Sequence, residues 1–330
     1  MVINGKKSLI VVSIFISLTL FFLLTFQLTA QAQEEVFEVG ISQFVEHPAL
    51  DSAREGFIEG LNEAGFTEDE NLEINLENAQ ADMSTTQTIA QKFENQNLDL
   101  VLAIATPSAQ SAAGVLSDTP LVITAVTDPV TAGLVEDLEN KEKAITGTTD
   151  MNPVDKQLAL IKEFLPNAEK IGILYNSGEV NSEVQVEMAK EVAPDMGLTI
   201  VEATATNTSE VSLATESLVE KVDAIYLPTD NTIASAVPSI MKVAEENDIP
   251  VFGSEKGQIE NGAIATRGID YFTLGKETGQ IAARVLNGED PASIPITGSK
   301  NLRLIINESA VESFNLKIPE SIEDEVDQLF

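Results

Sequence analysis

Beyond residue 36 the chain alternates between two hydrophobic rhythms. Short apolar runs, the mark of strands, are separated by stretches in which apolar positions recur every third or fourth residue, the mark of one-sided helices. Phe37–Ile41 reads as a strand and Pro48–Ala64 as a helix. Leu72–Leu76 follows as a strand, then a helix from Ser84 to Asn95 that Ser84 is expected to cap. Leu98–Ala105 is almost continuously apolar, as strands buried on both faces of a parallel sheet are. A helix opening at Thr106 and Pro107 leads to the strand Leu121–Val126. This βαβαβαβ series predicts a doubly wound α/β unit.

The same order then returns. Lys170–Tyr175 reads as a strand, Ser182–Met196 as a helix, Leu198–Ala203 as a strand and Ser209–Glu220 as a helix. Val222–Leu227, Thr232–Asn247 and Pro250–Gly253 continue as strand, helix and strand. Asp99–Pro107 (DLVLAIATP) and Asp223–Asn231 (DAIYLPTDN) match in kind, and each leads through a helix into a strand begun by Pro120 or Pro250. Two lobes are therefore predicted. The joint near Thr146–Pro153 is short, as a hinge would be. The remaining elements are a strand at Ala263–Thr266, a helix at Tyr271–Leu286, a strand at Leu302–Ile306 and a short helix at Ser309–Ser313. They can complete both sheets if the chain crosses back between the lobes, which would restrict motion to opening and closing.

Residues 1–32 stand apart. Lys6 and Lys7 precede an apolar run from Leu9 to Leu28, and Ala30-Gln31-Ala32 supplies small residues two apart. This is the pattern of a cleavable secretory signal peptide; the competing reading is an uncleaved membrane anchor. The chain has no Cys, so a lipidated N-terminal Cys is excluded. The expected location is periplasmic or otherwise extracytoplasmic.

Composition narrows the chemistry. Nineteen Lys and Arg against 53 Asp and Glu give a net charge of −34, which argues against nucleic acid as a partner because phosphate binding needs a basic face. With no Cys and one His, thiolate metal sites and Cys nucleophiles are ruled out, and His-based zinc sites and a Ser-His-Asp triad are disfavoured. The phosphate-cradling patterns G-x-G-x-x-G and G-x-x-x-x-G-K-[ST] do not occur. No metal and no cofactor is expected, and most of the acids read as solvated surface.

In open α/β sheets ligands bind beyond the carboxyl ends of the strands. The loops there are polar: Ser42, Gln43, Phe44, Glu46 and His47 after the first strand; Thr106-Pro107-Ser108 after the third; Thr127-Asp128-Pro129 after the fourth. Their counterparts are Asn176 to Glu179 with Asn181, then Thr229-Asp230-Asn231, then Ser254-Glu255. Thr106, Asn181 and Asn231 are expected as helix caps, and the free N–H groups behind Thr106 suit a carboxylate. Asp128 and Asp230 either meet a ligand or stabilise turns. His47, before Pro48, reads as a turn or hydrogen-bonding residue. A helix end for a carboxylate, acids for an ammonium, and Phe44 or Tyr271 for an apolar side chain together fit a zwitterionic α-amino acid.

Several strings carry a resemblance over nearly the whole exported chain, in order: Val45–Asp51 (VEHPALD), Ala79–Ser84 (AQADMS), Ile104–Gln110 (IATPSAQ), Thr124–Pro129 (TAVTDP), Ile171–Asn176 (IGILYN), Pro228–Asn231 (PTDN), Asp270–Gly275 (DYFTLG) and Asn307 after the last strand. In these the chain resembles ABC transporter substrate-binding proteins of the group that includes tryptophan and tyrosine binders. The resemblance implies a type I periplasmic-binding-protein fold: two Rossmann-like lobes with parallel sheets, joined by a three-crossover hinge, with ligand in the cleft. The expected lobes are 33–147 plus 269–289 and 148–268 plus 290–330. By motif position the implied ligand contacts are Phe44, Thr106, Ser108, Asp128, Glu179, Asn181, Asp230 and Asn231. The implied partners are a small-molecule ligand, an ABC permease and its ATPase, with the chain itself a monomer. The function expected is capture of an amino acid, aromatic or large and apolar, without catalysis. The alternatives are an exported sensor that signals to a receptor, or an exported hydrolase.

Overall fold

The computed structural model describes residues 36–68, 70–139, 143–299 and 302–330; the expected signal peptide lies outside them. Eight elements follow one another first: β1 (Phe37–Gln43), α1 (Pro48–Glu63), β2 (Leu72–Asn78), α2 (Met83–Gln96), β3 (Leu100–Ile104), α3 (Thr106–Val115), β4 (Leu121–Val126) and β5 (Ile145–Thr149). The second series is α4 (Val154–Phe164), β6 (Lys170–Tyr175), α5 (Val180–Val192), β7 (Thr199–Thr204), α6 (Val211–Glu216), β8 (Ala224–Tyr226), α7 (Asn231–Ala234), α8 (Val237–Glu246), β9 (Val251–Phe252), α9 (Lys256–Glu260) and β10 (Ala265–Ile269). The chain closes with α10 (Tyr271–Leu286), β11 (Thr297–Gly298), β12 (Leu302–Ile306), α11 (Glu308–Ser313) and β13 (Val326–Leu329).

One parallel sheet runs β11-β5-β4-β3-β1-β2 and another β7-β6-β8-β9. A third, small sheet sets β12 between antiparallel β10 and parallel β13. The inner strands β3, β4 and β6 are buried almost throughout because helices cover both faces of their sheets, which is why they read as mostly apolar runs. Two hydrophobic cores result, one around β1, β3 and β4 and the other around β6, β8 and β9. The chain leaves the first core after β5 and returns to it at Ile269. It leaves again between β11 and β12. These are the three expected crossovers.

The returning helix α10 is held by an unusually close contact with α1. A methyl group on Gly275 would lie 1.9 Å from the Ala53 carbonyl oxygen, and one on Gly56 would lie 2.1 Å from that of Phe272. Only glycine lets the two backbones meet this closely. The contact fixes Tyr271, the first residue of α10, against the first lobe.

Several local expectations shift. Asp82, not Ser84, caps α2: its carboxylate accepts from the Thr85 N–H at 2.7 Å, and Ser84 donates its hydroxyl to Asp82. Thr106, Asn181 and Asn231 are not caps either. The cap positions belong to Ala105, Glu179 and Asp230, and each predicted residue sits one or two places inside its helix. The helix expected over Thr232–Asn247 is two, α7 and α8, broken before Pro238, whose missing N–H cannot continue the ladder. Part of the expected hinge, Thr146–Thr149, belongs to strand β5 of the first sheet, so the crossing is confined to Asp150–Pro153. Ile294, Ile296 and β11 join the first lobe, although the sequence reading places residues 290–330 with the second.

Candidate functional site

In each large sheet the strand order reverses once, between β1 and β3 in the first and between β6 and β8 in the second. Such reversals open a crevice at the carboxyl ends of the strands, because the neighbouring helices lie on opposite faces. Around these crevices sit the loops after β1, β3, β6 and β8, the polar segments singled out in the sequence. The backbone at two strand ends is strained. Ala105 has φ 78° and Ala125 φ 54°, left-handed values for a residue with a side chain. At Ala125 the pairing of β4 with β5 slips out of register, and Ala125 turns up in the wall of an interlobe cavity.

The second-lobe wall rests on two buried carboxylates. Asp230 caps α7 through the Ile233 N–H at 2.8 Å, and its other oxygen accepts from the Asn176 N–H and the Ser182 hydroxyl, both at 2.6 Å. Glu179 accepts from the N–H groups of Asn231 and Thr232 at 3.1 Å each and from the Thr232 hydroxyl at 2.8 Å. The side-chain amides of Asn231 and Asn181 reach it at 2.5 and 3.2 Å. Burial, and then the neighbouring Glu179, raise the Asp230 pKa above the usual carboxylate range. Both acids are thus occupied in binding the β6 and β8 loops to each other.

The first lobe, the crossovers and the loop after β9 contribute a different set. Asp150, the residue leaving β5, accepts from the Thr127 hydroxyl at 3.0 Å and from the Tyr271 hydroxyl at 2.6 Å. Asn152 donates to the Ser254 carbonyl at 2.7 Å, which brings Glu255 alongside. Glu255 is 3 % exposed and its Oε2 has no hydrogen-bond partner. Burial, then Asp150, then Glu260 push its pKa up to about 8. Burial raises Asp150 too, against the pull of its two hydroxyl donors. Two contacts at 3.5 Å join the lobes directly, Thr127 to Thr229 through their hydroxyls and His47 Nε2 to Asn231 Oδ1.

These groups line a small cavity of about 20 Å³ whose wall includes His47, Thr127, Asp150, Asn181, Glu255 and Tyr271, and no Lys or Arg. Buried acids without a cation disfavour ionisation until a positive group arrives. The chemistry of such a wall suits a small cationic group. Of the sequence-predicted residues, Asn181, Asp230 and Asn231 line this cavity, and Glu179 stands behind them. Thr106 and Ser108 open α3; Thr106 Oγ1 is buried without a partner and Ser108 lies 3.4 Å from the Ser42 hydroxyl. Phe44 is buried in the first core. Asp128 turns to its own loop and accepts from Val130 and Thr131. The sequence reading assigns nothing to Asp150 and places Glu255 on a cleft loop without an individual role. The string Thr149–Asp150 after a Thr/Gly-rich strand was the available signal.

Two doubly wound lobes, three crossings between them and facing switch points around a polar cavity define a type I periplasmic-binding-protein fold. Residues 38–329 match ABC transporter substrate binding proteins, and the chain belongs to that family; its relatives bind substrates rather than transform them. It is 46% identical over 279 residues to the tyrosine-binding protein of Clostridioides difficile (strain R20291), covering 84% of this chain and 81% of that one. Among solved structures, an ABC domain in complex with L-Trp from Streptococcus pneumoniae is 36% identical with TM-score 0.87, covering 90% of this chain and all of that one. The ligand-free, open structure of a substrate binding protein with adhesive properties from Clostridium difficile is 45% identical, yet its TM-score is 0.68, over 89% of this chain and 99% of that one. The less similar sequence superposes better, so the lobes here are arranged as in the ligand-bound relative. Among the described residues no helix is long and apolar enough to cross a membrane.

Proposed function

We propose that this protein captures an aromatic or large apolar amino acid between its lobes, outside the cytoplasm, and delivers it to an ABC permease driven by its ATPase. The observation that carries the reading is the buried, unpartnered Glu255 carboxyl beside Asp150 in a cavity wall without cations. An α-ammonium group supplies the missing charge and up to three donors. The start of α3, with Thr106 and Ser108, takes the carboxylate through free N–H groups and hydroxyls. Phe44 and Tyr271 flank the side chain, while Asn181 and Asn231, held by Glu179 and Asp230, close from the second lobe. Asp128 shapes the loop after β4. Ligand favours the closed form only through the contacts that closure adds, and the permease then reads closure as loading. The printed ligands of the relatives, tyrosine and L-Trp, support the aromatic class.

Calorimetric titration with the twenty amino acids tests this. Saturable one-to-one heat with tyrosine or tryptophan, and recovery of the unchanged amino acid, is expected. Silence with all twenty removes the amino-acid reading, and turnover of a bound compound removes the pure binding role.

A further inference from the structure

His47 is the chain's single histidine. It is 8 % exposed, occupies the cap position of α1 without capping it, and lines the interlobe cavity. Its hydrogen atoms can be placed from its neighbours. Glu179 Oε2 already accepts from the Asn231 backbone N–H, so the Asn231 side-chain group 2.5 Å from it must be the NH₂. That leaves Asn231 Oδ1, an acceptor, facing His47 Nε2 at 3.5 Å across the cleft. Nε2 therefore carries the proton in a neutral ring, and burial keeps the ring neutral by lowering its pKa to about 4. Nδ1 is then a bare acceptor, buried with no partner in the protein.

Asn181 repeats the logic. Its NH₂ donates to Glu179 at 3.2 Å and to the Thr229 carbonyl at 2.9 Å, and its Oδ1 is left buried without a partner. Both residues line the same cavity, and the orientation of both follows from one carboxylate. Leaving two buried acceptors empty is costly unless something fills them.

We propose that His47 is a ligand contact, held as the Nε2–H tautomer by Glu179 acting through Asn231, and that its Nδ1, with Asn181 Oδ1, accepts hydrogen bonds from an N–H or O–H group of the bound molecule. Glu179 is thereby a positioning residue. It spends its oxygens on the second lobe and sets which way two ligand-facing amides and one imidazole present themselves. The ligand class is a molecule that brings donors to this wall, through its ammonium or through a phenol or indole group on its side chain. The inference rests on the cavity being the ligand cleft.

With one histidine, histidine-specific ¹⁵N labelling gives a single imidazole spectrum from the protein, titrated with L-tyrosine, L-tryptophan and L-phenylalanine in samples whose saturation is followed by calorimetry. The expected result is the Nε2–H tautomer in the bound state with an Nδ1 resonance shifted by ligand. A shift with all three amino acids assigns the donor to the ammonium, and a shift with tyrosine and tryptophan only assigns it to the side chain; both support the proposal. His47→Gln keeps a donor for Asn231 but loses the acceptor at Nδ1, and weakens binding about ten-fold or more, whereas His47→Asn presents an oxygen where Nδ1 stood and recovers most of that loss. Saturating heat with an Nδ1–H tautomer, or with an Nδ1 resonance that ligand does not move, overturns the proposal alone. Absence of any saturable heat overturns it together with the amino-acid reading.

Discussion

Tyr271 donates its hydroxyl to Asp150 at 2.6 Å, and this bond ties the chain's first crossing between lobes to its second. Asp150 leaves β5 for the second lobe, while Tyr271 begins the helix that has just come back. The acid at the heart of the cleft is thus held by residues whose positions change only if the hinge changes. Tyr271→Phe removes that donor and leaves Asp150 with Thr127 alone. Ligand affinity is expected to fall by about ten-fold, with the far-ultraviolet circular dichroism spectrum unchanged.

Glu255→Gln separates stability from function. Glu255 lies buried beside a like charge with one oxygen unpaired, so its ionised form opposes folding and favours a cationic ligand. The variant is expected to melt at a higher temperature than the parent at pH 8.5 without ligand, and to bind an amino acid about ten- to a hundred-fold more weakly. Differential scanning fluorimetry and calorimetry read the two effects separately.

The same acid sets a pH dependence. An acid whose folded pKa is raised holds its proton in the folded state at pH values where the unfolded chain has lost it. The resulting stability is full below the unfolded pKa and disappears as pH rises through the folded one. For Glu255 that loss runs from the ordinary 4.5 up to about 8. His47, whose pKa is lowered from 6.5 to about 4, acts in the opposite sense but only below about 6.5. Between about pH 6.5 and pH 8 the ligand-free protein is therefore expected to lose about 2 kcal/mol from Glu255, with a further loss in the same direction from Asp230, whose pKa is also raised. A saturating amino acid should remove most of this decline, which chemical denaturation at several pH values would measure.

Two aspartates that look alike in sequence separate here. Asp128 and Asp230 each precede a turn in a Thr-Asp string, but Asp128 is partly exposed and bonded only within its loop. Asp230 is 2 % exposed and joins β6, α5 and α7. Asp128→Ala is expected to cost about 1 kcal/mol and to leave affinity unchanged. Asp230→Ala is expected to cost about 3 kcal/mol or more, because three donors lose their acceptor, and to weaken binding by disordering the second-lobe wall. Denaturation curves and titrations of both variants check the contrast.

That contrast marks where sequence reading ends. Local chemistry was legible: the apolar runs place β4, β6 and β12 with the bounds observed, and the helix at Tyr271–Leu286 is found residue for residue because Asp270 and the apolar spacing delimit it. The polar loops at the strand ends were also found, since their composition breaks the apolar pattern. Thr146–Thr149 reads as hinge because Thr and Gly lack the look of a buried strand, yet it lies in β5, where the Thr148 hydroxyl is satisfied by Thr124 and Thr278 across the core. Asp150 and Glu255 were not recognised as central because a carboxyl's missing partner is a fact of tertiary packing. No spacing records it.

The contact between α1 and α10 tests how the hinge is anchored. Gly275→Val places a branched side chain where even a methyl group meets the Ala53 carbonyl at 1.9 Å, and the helices must separate. A loss of about 3 kcal/mol is expected, read as a lower midpoint in denaturant.

The most direct test of the central claim is a calorimetric comparison of L-tyrosine with 3-(4-hydroxyphenyl)propionate, which keeps the phenol and carboxylate and lacks the ammonium. With Asp150 and Glu255 as the ammonium's partners, the deaminated compound should bind at least a hundred-fold more weakly, or not measurably. Equal affinity for the two compounds would contradict the account.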